Sequence, residues 1–101
     1  MPQQNEFTEY ALLADIRTTD VQNPQELAAI WGPIRQECTD VGAEVTHSYA
    51  VLGEHDFLVL LDAPSRDVCF KASLIMERHG LDVQSMEVVP TAAFGELVED
   101  L

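Results

Sequence analysis

Apolar and polar positions along this chain switch between a period of two and a helical period, and the switches mark its elements. Glu9 to Ile16 reads as a strand, with Tyr10, Leu12, Ala14 and Ile16 on one face and Ala11 and Leu13 on the other. A strand apolar on both faces is covered on both faces. Arg17 to Gln22 is a polar connection. From Asn23 the period becomes helical: Leu27, Ile30, Trp31, Ile34, Cys38 and Val41 form one stripe. Asn23 suits an N-cap, Pro24 the first helical position, and Glu26 a capping box. Pro33 cannot bond the carbonyl of residue 29, so a kink is expected there. Gly42 closes the helix.

Alternation returns over Val45–Leu52, placing Val45, His47, Tyr49 and Val51 on one face, and Phe57–Leu61 is a further apolar strand. Gly53-Glu54-His55-Asp56 between them reads as the turn of a β-hairpin. Asp62-Ala63-Pro64-Ser65 opens a second helix, from about Arg66 to His79, which Gly80 ends. Val68, Cys69, Ala72, Ile75 and Met76 make its main apolar face, and Phe70 and Leu74 a second strip. Leu81–Val89 is the last strand, stopped by Pro90. The tail beyond it, with Phe94, Leu97 and Val98, reads as a helical turn folded onto the body or onto a partner.

The order β-α-β-β-α-β is the ferredoxin-like α+β pattern, a four-stranded antiparallel sheet with two helices on one face. The other face, also apolar, needs a cover. A second copy is the simplest one, so the sequence predicts a homodimer whose two sheets enclose a barrel-like interior.

A chain of 101 residues, 47% hydrophobic, is a single globular domain with one core. Its first seven residues are polar in the main and expected to fray. They lack the basic and apolar regions of a signal peptide, and no apolar run approaches the roughly 18 to 20 residues of a membrane helix. A cytoplasmic protein with no membrane partner is expected. Charge adds more. Five basic residues against 18 acidic ones leave a formal charge of −13, and Lys71 is the only lysine. The acids are dispersed from Glu6 to Asp100, so this is a whole acidic surface and not a tail. Such a surface repels itself in dilute buffer, whereas at molar salt the Debye length falls to about 3 Å. That balance suits a salt-filled cytoplasm such as a halophilic archaeon's. It also argues against nucleic acid, since no basic patch is present to neutralise phosphates.

Candidate chemistry is sparse. His47 reads as a half-buried histidine bonded to a neighbour or, with Tyr49, as an acid/base pair in a pocket. His79, beside Gly80, suits a helix C-terminus. Glu54, His55 and Asp56 could approach a cation, but consecutive turn residues rarely converge on one ion, and Asp more often bonds its own backbone. Glu87 reads as a raised-pKa base, with Arg17 or Arg35 as partner, or as a solvent-facing edge residue. Cys38 and Cys69 lack CxxC or zinc spacing and read as core residues. No GxSxG, HExxH or phosphate-cradling loop occurs, and neither metal nor cofactor is expected.

The central stretch resembles the GYD domain family. The features that carry the resemblance are a strand ending at Leu52-Gly53, the turn to Asp56, the strand Phe57–Leu61, and Asp62-Ala63-Pro64 opening a helix. The helix ending at Gly80 and the final strand also agree, so the likeness spans about residues 9 to 95. His55 stands where the family name has tyrosine. The resemblance implies a ferredoxin-like fold in the dimeric α+β barrel group, which includes cofactor-free monooxygenases, muconolactone isomerases, chlorite dismutases and regulator effector domains. So broad a group does not specify an activity. The expectation is a small-molecule-binding homodimer, with His55, Asp56 and Trp31 as candidate ligand contacts. The alternative is a small cofactor-independent enzyme, monooxygenase- or isomerase-like, with its pocket at His47 and Tyr49.

Overall fold

A computed structural model describes residues 7–17 and 23–101. The expected fraying of the N-terminus and most of the polar connection to Gln22 lie outside the described residues. The elements are β1 (Thr8–Ile16), α1 (Pro24–Ala29), α2 (Trp31–Asp40), β2 (Glu44–Ala50), β3 (Phe57–Ala63), α3 (Arg66–Arg78), β4 (Leu81–Glu87) and α4 (Thr91–Leu97). The four strands form one antiparallel sheet in the order β2-β3-β1-β4, the ferredoxin-like arrangement.

Alternation in β1 sorts the two faces. Tyr10, Leu12 and Ala14 are buried with Val59, Leu61 and Ala63 of β3 and Leu81 of β4. Ile34 and Cys38 from α2, and Cys69, Ala72, Ile75 and Met76 from α3, complete that core. Burial of these side chains at about 1.5 to 3 kcal/mol for each large one is the main force holding the helices to the sheet.

The first helix departs from expectation in where it breaks. The chain interrupts at Ile30, and Pro33 sits in the first turn of α2, where no N–H donor is required. A continuous helix would need a bond from position 33 to residue 29 that proline cannot make. The interruption therefore falls one turn upstream of the ring. Asn23 caps α1 as expected, its Oδ1 accepting from the Gln25 N–H at 2.9 Å. Ser65 caps α3, accepting from the Val68 N–H. Gly80 takes φ +97 directly after that helix, a conformation that disfavours a side chain.

A second correction concerns β2. Val45 pairs with Leu61, while His47 pairs with Leu60, so Thr46 is an extra residue in the ladder. The bulge puts Val45 on the helix-covered face and His47 and Tyr49 on the opposite one. The single face expected for Val45, His47 and Tyr49 does not exist, and Val51 lies beyond the strand.

On the face away from the helices, register places two rows side by side. Tyr49, Leu58, Leu13 and Gln84 form one, and His47, Leu60, Ala11 and Met86 the other. Acids bracket this largely apolar band: Glu44, Asp62 and Glu9 at one end, Asp15 and Asp82 at the other. The tail helix α4 leaves Phe94 and Leu97 exposed. The radius of gyration, 15.2 Å, exceeds the roughly 13 Å of a compact chain of this length.

Candidate functional site

The turn between β2 and β3 spans residues 51–56, longer than the four read from sequence, and it is tied to β1. The Asp56 carboxylate accepts the Ile16 N–H at 2.8 Å, 40 residues away. The Asp56 N–H in turn donates to the Ala14 carbonyl at 3.1 Å and lies 3.2 Å from an Asp15 carboxylate oxygen. His55 Nδ1 sits 3.2 Å from the other Asp15 oxygen. The Asp56 side chain thus bonds across to the neighbouring strand, not to its own turn as expected, while its carbonyl closes the turn by accepting the Val51 N–H at 2.8 Å. With its carboxylate and N–H both engaged, it is a stitch that holds the hairpin tip against the end of β1. His55 reinforces that stitch, and among the described residues no group of three His, Cys, Asp or Glu could hold a metal ion.

His47 and Tyr49 lie on the open face with rings nearly parallel, 7° apart and 6.0 Å between centroids. His47 is exposed there, so its environment is solvent and not the half-buried one considered from sequence. Tyr49 belongs to a second feature as well. Because β2 is an edge strand, Tyr49 also lines a cavity of about 360 Å³ between that edge and the first two helices.

The cavity has apolar walls. Leu27 and Ala28 of α1, Trp31 of α2 and Phe57 of β3 supply them, and Trp31 meets Phe57 edge-on at 5.0 Å between centroids. Its polar side chains are those of Arg35 and Ser48, whereas the Tyr49 ring lies on the open face beside His47. Arg35 Nη2 donates to Ser48 Oγ at 2.7 Å and Nη1 to the Val45 carbonyl at 3.4 Å, which fixes the guanidinium at the rim. A volume near the lower end of the usual range for ligand sites, with few and convergent polar groups, is what a small organic molecule requires.

Of the five residues singled out in the sequence, His47 and Tyr49 stand together on the open face, His55 and Asp56 meet at Asp15, and Trp31 and Tyr49 both border the cavity. Sequence reasoning missed Arg35 and Ser48. Arg35 follows Trp31 by four residues and so shares its side of the helix, which was the available signal. Neither arginine considered for Glu87 pairs with it: Arg17 lies 3.7 Å from Asp82, and Arg35 bonds Ser48 and Val45. Glu87 itself is exposed at the end of β4.

The other titratable groups are structural. His79 is the C-cap of α3, and its Nε2 lies 3.1 Å from Glu37 of α2. Arg78 and His79 both hydrogen-bond the Glu37 carboxylate and hold its pKa below the ordinary range. Burial pushes the Cys38 thiol up to about 11 and raises Cys69 also, so both are inert core thiols. Burial likewise raises the Tyr10 phenol.

No helix among the described residues is long and apolar enough to cross a membrane. No curated protein matches the chain significantly. The model of the GYD domain does match, over residues 10–98, nearly the whole sheet-and-helix body and its tail. The chain belongs to the GYD domain family.

Proposed function

We propose that this protein is a cytoplasmic small-molecule-binding homodimer. The observation that carries the reading is the cavity at Trp31, Arg35 and Tyr49, apolar in its walls and polar at one rim. The homodimer is supported by the open sheet face, whose central Leu13, Leu58 and Leu60 sit inside a bracket of acids. A contiguous apolar patch with a charged rim is the usual anatomy of an interface. A salt-accumulating host fits the same rim, because two acidic borders brought together repel in dilute buffer and much less at molar salt. Native mass spectrometry of protein taken directly from its host into volatile salt tests both halves together. The expected spectrum has a dimer mass plus a retained small molecule. A bare monomer at high protein concentration overturns the reading.

The parallel His47 and Tyr49 rings favour one alternative, a cofactor-independent enzyme. A second copy on the open face would enclose an imidazole beside a phenol, groups able to exchange a proton with a bound substrate. If the molecule recovered from the host is consumed by the protein and His47→Ala stops that turnover without splitting the dimer, the enzyme reading replaces simple binding.

A further inference from the structure

We propose that the cavity takes a small organic anion, a monocarboxylate on a flat or short apolar body, with the Arg35 guanidinium as its counter-ion. This deepens the small-molecule reading above and rests on it. The chain carries 18 acidic residues and five basic ones, yet the cavity lining holds one arginine and no acid. In a protein of formal charge −13, a binding surface free of carboxylate is the exception, and it selects against cations. The state of Arg35 points the same way. Arg17 and Arg78 each lie within reach of a carboxylate, Asp82 and Glu37 respectively. Arg35, like Arg66 and Lys71, has no carboxylate within 4 Å among the described residues. But Arg66 lines a hollow that holds Glu77, and Lys71 one that holds Glu37 and Asp40, whereas Arg35 bonds only a hydroxyl and a backbone carbonyl, both neutral. A guanidinium has five N–H donors in a fixed fork that matches a carboxylate edge. Two of these are used, which orients the group and leaves the rest for a ligand. Trp31 and Phe57, set edge-on, offer flat apolar surface for the body of the molecule. The cavity volume, about 360 Å³, accommodates a body of a single ring or a short chain.

Trp31 is the only tryptophan, so its fluorescence reports this cavity directly. The test titrates wild-type protein in 1 M KCl, where the field of the acidic surface is screened to about 3 Å. The probes are benzoate, benzamide and benzylamine, with hexanoate and hexanamide as a flexible pair. Each carboxylate is expected to bind at least about tenfold more tightly than its amide, the ratio for one charge-assisted hydrogen-bond pair, and benzylamine most weakly. Arg35→Met, which keeps an apolar stem, should bring benzoate down to the amide level. Ala28→Leu, which fills the cavity from another wall, should abolish binding of all probes while circular dichroism stays native. Amides or amine binding as tightly as the carboxylates would overturn the anion assignment and leave small-molecule binding standing. The same conclusion follows if Arg35→Met folds and keeps full benzoate affinity. No response to any probe would overturn both. Should Arg35→Met not fold, the wild-type comparison of acid with amide still decides.

Discussion

The Asp56 carboxylate accepts a backbone N–H from a strand 40 residues earlier, so its removal leaves the Ile16 donor without an acceptor in a half-buried site. Asp56→Ala is expected to cost about 1 to 3 kcal/mol in urea unfolding, and Asp56→Asn less, because an amide oxygen still accepts. An Asp56→Ala protein as stable as wild type would contradict the stitch. Glu37 gives a signed pH effect. Its folded pKa is lowered by hydrogen bonds from Arg78 and His79, so its contribution is present above the ordinary carboxylate range. It disappears as pH falls through the depressed value. The stability gap between wild type and Glu37→Gln should therefore narrow on the acid side, and a gap unchanged down to pH 3 would refute it. Cys38, held up at about 11, should resist thiol reagents at pH 8 until the chain unfolds, with labelling rates tracking unfolding. That Asp56 makes a turn was legible from the letters. Its partner was not, because nothing local in sequence tells which strand end a turn will meet.

Thr46 decides which side of the sheet the second half of β2 presents. As a bulge it lets His47 follow Val45 by two residues and yet occupy the opposite face. Deleting Thr46 would restore a regular ladder with every other side chain unmoved. The expected loss is about 1 to 2 kcal/mol, including its hydroxyl bond to the Leu60 carbonyl at 3.0 Å. Deleting Ser48 would instead swap the faces of Tyr49 and Ala50, and should lower the melting temperature far more. Equal effects from the two deletions would argue against the bulge. The strands, the helical stretches, their caps and their order were legible, because period, Asn23, Ser65 and Gly80 are local signals, although the first stretch breaks into two helices where one kinked helix was expected. The bulge was not, since Val45-Thr46-His47-Ser48-Tyr49 reads as plain alternation and only the partner strand reveals the extra residue. Hence Tyr49 was placed correctly beside His47 but wrongly beside Val45.

Across the whole molecule, surface charge and the open face belong to one problem. With 18 acids against five bases, melting temperature should rise strongly from dilute to molar KCl, and a melt indifferent to salt would remove the case for a salt-filled cytoplasm. Leu60→Glu, in the centre of the open face and pointing away from the core, should leave the fold intact and give a monomer in sedimentation. A dimer that survives it uses another surface. Strand β2 joins these matters to the cavity, since His47 and Tyr49 stand on the open face while Ser48 and Ala50 border the cavity beside Trp31 and Arg35. A second subunit on the sheet would hold one side of that strand, and a ligand in the cavity would hold the other. Ligand and second subunit would then be thermodynamically linked: each would change the affinity of the other by one common factor. Affinity measured for a small molecule would drift with protein concentration, and the dissociation constant of the dimer would drift with ligand.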